Sequence, residues 1–311
     1  MKIRQNVFSL LLLAMLIGGC ISYATPNQSC QIAFRSRQMI SADDVETSED
    51  IYIMDCDGAN RVQLTSHPGD EYSPEWSPDG KKIAYRSKRE GNWEIYIINV
   101  DGGGERNFSN HFANDLDPAW SPDGKWIAFA SDRDGGDLDI YIQEVEGGRI
   151  IQITANNYPE SGPSWSPDGD VLAFAQNRYD DELFGKLVIV SLEDFVTETV
   201  LSEIVFIREP TWSPDGKQLA FVLGYEISTI CVVDTQDWKY IDLIKLEDRP
   251  EGGEMRNYSP SWSPDSNQIV FGSNINNGIG IYIMNRDGSE LRRITNSDWE
   301  NWIDRSPDWR P

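Results

Sequence analysis

Four carboxylates recur at one place in this chain of 311 residues. Glu71, Asp115, Glu160 and Asp304 each stand three residues ahead of the proline in a repeated Pro-x-Trp. Asn257 holds a fifth such slot and Ile207 the remaining one. Delivered to one level of a ring, these side chains would focus negative potential and attract a cation or a basic protein segment. A second regularity brings the opposite charge: Arg89, Arg133 and Arg178 each follow by four residues the aromatic of Ile-Ala-Tyr, Ile-Ala-Phe or Leu-Ala-Phe. That spacing puts the arginines on the same loop face as the acids. Either the two sets form a binding face together, or they pair and brace the loops, a common structural device. His67 and His111 both fall nine residues before a repeat Trp, where a later copy has Asn156. Their equivalence favours loop packing over catalysis. With two histidines and no Cys-x-x-Cys, a zinc site is not expected. A carboxylate-only Ca²⁺ site stays open.

The elements that position these residues come from the repeat itself. Pro74-Glu75-Trp76-Ser77-Pro78-Asp79-Gly80 returns at Pro118, Pro163, Pro210 and Pro260, with Ser266 replacing Gly in the last, and the sixth copy runs Pro307-Asp308-Trp309-Arg310-Pro311. Successive tryptophans are 44, 45, 47, 50 and 47 residues apart. A fixed period of that size means one supersecondary unit repeated, with neighbours burying each other's faces. After each turn come two short β-branched or aromatic runs, such as Ile83-Ala84-Tyr85 and Ile95-Tyr96-Ile97, bounded by Gly, Asp and Asn. They are too short for helices and read as strands. Ser-Pro-Asp-Gly suits a tight hairpin, with Pro presetting φ and Gly free to take positive φ. A second turn, such as Val100-Asp101-Gly102, leads to a fourth strand. Four antiparallel strands per unit make a propeller blade. At the N-terminus, Gln31–Phe34, Ile51–Ile53 and Val62–Thr65 match strands two, three and four without a first strand, which Pro307-Asp308-Trp309 supplies. The chain is therefore expected to be all-β, a six-bladed propeller closed by pairing a C-terminal strand with the N-terminal blade.

The Pro-x-Trp-Ser-Pro-Asp-Gly-Lys-x-Ile-Ala-Phe pattern, with Ile-Tyr and Asp-Gly downstream, resembles the TolB-type β-propeller repeat, a WD-repeat-like family. The resemblance covers roughly residues 30–311 and implies a six-bladed ring closed by strands from both ends. The family's namesake is a periplasmic protein that binds partners through its propeller in envelope maintenance. Two features set this chain apart from it: the namesake's additional N-terminal domain has no counterpart here, and a lipidation motif is present.

The charge balance of 27 basic against 51 acidic residues gives −24, which argues against nucleic-acid or anionic-lipid binding. Residues 1–19 form a signal peptide pattern, with Lys2 and Arg4 ahead of the apolar run Val7–Ile17. It ends in a lipobox-like Leu16-Ile17-Gly18-Gly19-Cys20, so Cys20 is the expected lipidation site, residues 20–29 a tether and residues 30–311 the propeller; the alternative is an ordinary signal peptide cut after Ser22-Tyr23-Ala24, which would discard Cys20. Cys231 lies in an apolar strand and reads as a buried small hydrophobe. Cys30 shares strand parity with Phe34, and Cys56 with Tyr52, so if those aromatics face each other the cysteines do too, in reach of a disulfide. The repeat drifts most in blades four and five, over 192–209 and 247–257. Departures of this kind are where function concentrates. No Gly-x-Ser-x-Gly nucleophile turn occurs, which disfavours a peptidase. The expected function is a non-catalytic, monomeric binding propeller on the exported side of a bacterial membrane, taking a protein or small ligand at the acidic channel mouth and the loop face. The alternative is a propeller lyase or hydrolase with a carboxylate or Ca²⁺ site in the channel.

Overall fold

The computed structural model describes residues 30–38, 48–177, 184–225, 227–245, 255–275, 278–295 and 302–311. The expected signal peptide, Cys20, the tether and Arg178 lie outside the described residues.

The chain forms six four-stranded antiparallel sheets. Blade one takes β1 (Gln31–Gln38), β2 (Asp50–Asp55) and β3 (Val62–Gln63); blade two is β4 (Glu71–Trp76), β5 (Lys82–Ser87), β6 (Glu94–Asn99) and β7 (Arg106–Asn107). Blade three is β8 (Asp115–Trp120), β9 (Trp126–Ser131), β10 (Asp139–Glu144) and β11 (Ile150–Gln152). Blade four is β12 (Glu160–Trp165), β13 (Val171–Asn177), β14 (Phe184–Ser191) and β15 (Thr197–Val205). Blade five is β16 (Ile207–Trp212), β17 (Gln218–Leu223), β18 (Thr229–Asp234) and β19 (Tyr240–Asp242). Blade six is β20 (Asn257–Trp262), β21 (Gln268–Ser273), β22 (Gly280–Asn285) and β23 (Arg292–Arg293). The last strand, β24 (Trp302–Trp309), returns to pair with β1 and completes blade one. Each Pro-x-Trp thus lies on the innermost strand of its blade.

The Ser-Pro-Asp-Gly turn closes as its residue types require. In blade two the Gly80 N–H donates to the Ser77 carbonyl at 2.8 Å, with Gly80 at φ +65°. The Ser77 hydroxyl donates to Asp79 at 2.7 Å and accepts the Lys82 N–H at 2.9 Å. Where Ser266 replaces the glycine it still adopts φ +60°, and its hydroxyl accepts the Asp215 N–H of the neighbouring turn at 3.0 Å. That bond offsets the strain of a side chain in the left-handed region.

Six apolar clusters hold the ring, one between each pair of successive blades. Five of the six repeat tryptophans are buried in these seams, and Trp212 packs half-buried in its own. Cys30 and Cys56 form a disulfide, with Cα atoms 5.5 Å apart, at the end of the β1–β2 hairpin where Phe34 does face Tyr52. Cys231 is buried with a free thiol. The bridge closes a loop of 26 residues, so reduction, or Cys30→Ser with Cys56→Ser, should lower unfolding free energy by about 3 kcal/mol. Denaturant titrations with and without reductant would read this; coincident curves would show that the bridge contributes nothing.

Candidate functional site

The position-matched acids do not ring an open mouth. Glu71, Asp115, Glu160 and Asn257 open their innermost strands, Asp304 is the third residue of β24, and all five are buried to within 2% of full enclosure. Each is held by polar partners. Glu71 accepts from Arg89 at 2.7 Å and from the Thr65 hydroxyl; Asp115 accepts from Arg133 at 2.8 Å. Glu160 accepts from Asn156 at 2.6 Å, from Gln176 at 3.0 Å and from Thr154. Asp304 accepts from Ser36 at 2.6 Å and Arg61 at 2.9 Å. The Asn257 side-chain amide donates to the Ser228 carbonyl. In the slot held by Ile207, Asn177 of blade four substitutes by bonding the Ile207 N–H at 3.1 Å and carbonyl at 2.8 Å. The set forms a collar inside the fold. Of the two readings of the arginines, pairing with the collar acids is the arrangement observed for Arg89 and Arg133. Arg89 also stacks 4.0 Å from the Tyr96 ring centroid, and Arg133 lies 4.9 Å from that of Phe129.

Burial sets the electrostatics of the collar. It pushes the Glu71 carboxyl up to about 8 against the pull of Thr65 and Arg89, and raises Asp115 and Asp304 against their arginines. His67 Nε2 sits 3.0 Å from Glu105, and the donor atoms of His67, Glu71 and Glu105 lie within 4.8 Å of one another. Arg89 bridges both carboxylates, at 2.7 Å and 3.1 Å, so the charge a metal would neutralise is already met. This donor set does not fit a cation. His111 accepts the Ala113 N–H at its Nδ1 and packs a loop.

The lumen lies elsewhere. A cavity of about 280 Å³ runs along the axis, walled by the Pro-x-Trp segments of all six blades and reaching turn-face prolines such as Pro78 and Pro122. A bulge in every innermost strand shapes it. The residue before the repeat Pro takes positive φ in all six blades, at Ser73, Asp117, Gly162, Glu209, Ser259 and Ser306. The strand register shifts across each bulge. Proline is tolerated because the innermost strand is a sheet edge and needs no outward N–H there. The position between Pro and Trp then lines the lumen, as Glu75, Ala119, Ser164, Thr211, Ser261 and Asp308. Three of these tie blade to blade through their side chains: Asp308 accepts the Trp76 N–H at 2.7 Å, Ser164 that of Trp212 at 3.2 Å, and Ser261 that of Trp309 at 3.0 Å. Ser261 also donates to Asp308 at 2.8 Å. Enclosure raises Asp308 to about 6 and pushes Glu75 well up, with the neighbouring Asp308 charge adding to the shift. Sequence reasoning missed this position because its residue types differ from copy to copy.

A family model described as the TolB beta propeller domain matches residues 36–237. The chain belongs to that family. A stretch of 54 residues is 39% identical to a TolB homologue of Chlorobium chlorochromatii, covering 17% of this chain and 12% of that protein. Another of 56 residues is 36% identical to dipeptidyl-peptidase 5 of Porphyromonas gingivalis, over 17% and 8%. These matches span small fractions of those proteins. The crystal structure of TolB from Acinetobacter baumannii superposes with a TM-score of 0.76 at 22% identity, covering 91% of this chain and 67% of that one. That likeness is one of fold.

Two outcomes follow for this TolB-family propeller. Arg133→Met strands the buried Asp115 carboxylate and should cost about 3–5 kcal/mol in urea unfolding, and adding Asp115→Leu should recover most of it. No recovery would mean that Arg133 acts through packing alone. The second concerns pH. Asp308 and Asp139, raised to about 6 by burial, and Glu71, at about 8, favour the folded state most when protonated. Their contribution is complete below the unfolded values near about 4 and is lost as pH rises through 6 to 8. The turn aspartates have the opposite sign. Asp123 is lowered to about 2 by Lys125 and Ser121, and Asp168 is lowered by Ser166, so their contribution is lost as pH falls. Melting temperature should therefore peak near about pH 5; a rise continuing to pH 8 would contradict it.

Proposed function

We propose that this chain is a non-catalytic binding propeller of the bacterial cell envelope, exported and lipid-anchored through Cys20, that takes a segment of a protein partner into its lumen. Family membership supports the binding role. The observation that carries the site is the lumen wall: one scaffold position repeated six times, with a different side chain in almost every blade. Asp308, Ser164 and Ser261 are engaged in links between blades, whereas Glu75, Ala119 and Thr211 present chemistry to an occupant. A basic partner residue would offset the enclosure and the Asp308 charge that raise the Glu75 carboxyl. No histidine, lysine or cysteine is among the described residues lining the lumen, which gives a hydrolase or lyase no base of those types. Docking at the collar acids is disfavoured by their burial.

A photo-crosslinking side chain at Thr211, compared with one at Asp101 on an outer turn, would test this in the native cells. A discrete adduct at 211 that Glu75→Lys removes is expected; adducts at 101 alone would place binding outside the lumen. The Glu75–Asp308 pair favours a second reading, a Ca²⁺ site in the channel. A melting temperature that rises with calcium in the parent and stays fixed in Glu75→Gln would support it over an uncharged lumen. N-terminal mass spectrometry of the exported protein would report the lipid on Cys20, and an unacylated N-terminus would exclude the anchor.

A further inference from the structure

One outer edge differs from the other five. The outermost strands β3, β7, β11, β19 and β23 are two or three residues long, whereas β15 has nine. Its partner β14 is lengthened to eight, and the two pair from Val190–Thr197 to Phe184–Val205. Among the described residues no strand pairs with the far edge of β15. A strand edge is a row of unsatisfied N–H and C=O groups. Folded proteins blunt such edges by shortening them, by placing Lys or Pro there, or by bulges that turn part of the edge away. Five blades take the first course, and β15, with the sequence Thr-Glu-Thr-Val-Leu-Ser-Glu-Ile-Val, has neither Lys nor Pro.

We infer that the outer edge of β15 docks an extended segment of a partner protein, alternating β-formers with Lys or Arg, as an added strand. Backbone ladders select an extended polypeptide over any other ligand, and side chains on alternate positions give the preference. The exposed acids Glu193, Asp194 and Glu198 line the turn and the strand, so the complementary segment is basic. Phe195, Val196 and Val205 are at least half exposed and frame the two ends with apolar surface. A second copy of the chain would bring −24 against −24 and is disfavoured. Register shifts against β14 bend the strand between Thr199 and Ile204, so the regular edge begins at Thr197–Thr199. This surface lies on the rim of the ring, apart from the lumen, and does not depend on the function proposed for it.

The test uses the full chain and a synthetic peptide as long as β15 that alternates valine and lysine, at physiological salt. Hydrogen exchange at Thr197–Thr199 should slow by about tenfold or more at saturation, with β3 and β23 unchanged. The same peptide N-methylated at alternate amides keeps its charge but cannot form the ladder, and should give no protection. Glu198→Lys, which leaves the backbone edge intact, should weaken the unmodified peptide by about fivefold or more. Absence of binding, protection elsewhere, or equal binding of the N-methylated peptide would overturn the inference. So would concentration-dependent dimerisation that protects β15 without peptide, since the occupant would then be a second copy.

Discussion

Pairing of β24 with β1 is the constraint on which the rest of this ring depends. It joins segments from opposite ends of the chain, with Ile32 opposite Trp309 and Gln38 opposite Trp302. The seam is densely bonded. The Arg310 N–H donates to the Gln31 carbonyl at 2.9 Å, and Ser36 and Arg61 both donate to Asp304. The Cys30–Cys56 bridge pins the same corner. Asp308, on that last strand, accepts from Trp76 of blade two and Ser261 of blade six, so one side chain holds both neighbours. A blade buries its two faces only against adjacent blades, and opening the ring would expose two apolar seams at once.

The charge of the chain takes on structure in this frame. Part of the acid excess is structural. Turn aspartates such as Asp79 and Asp123, although exposed, are bonded to the serine of their own hairpin. Collar acids are enclosed and met by arginine, hydroxyl or amide donors. Removing one partner there leaves a buried carboxylate in a poor dielectric, which makes the collar a determinant of the fold rather than of binding. The lumen wall and the rim are where side chains vary while the scaffold repeats.

The blade count and the closure were legible because every unit repeats its turn and its Trp, and because the incomplete units at the two ends complement each other. The disulfide was legible from strand parity, since nothing interrupts the ladder between Phe34–Tyr52 and the cysteines. The axis-facing position of the innermost strands was not legible. Between Glu71 and Trp76 the bulge at Ser73 resets which side chains face the axis, and that position holds Ser, Asp, Gly or Glu with no shared signature. Counting back from proline therefore found the collar but placed it at the wrong surface, while Glu75 and Asp308, one residue after the proline, passed as filler. The length of β15 was hidden for a related reason: drift from the repeat marks a departure without saying that it is a longer strand.

The central claim is that the blades stand only as a closed ring. Hydrogen exchange on a chain lacking residues 302–311, followed blade by blade, tests it most directly. The account predicts that protection collapses in all six blades, β9 and β13 included, although they lie far from the deleted strand. Retained protection in blades three to five, with loss confined to blades one, two and six, would show that the ring is not the unit of stability.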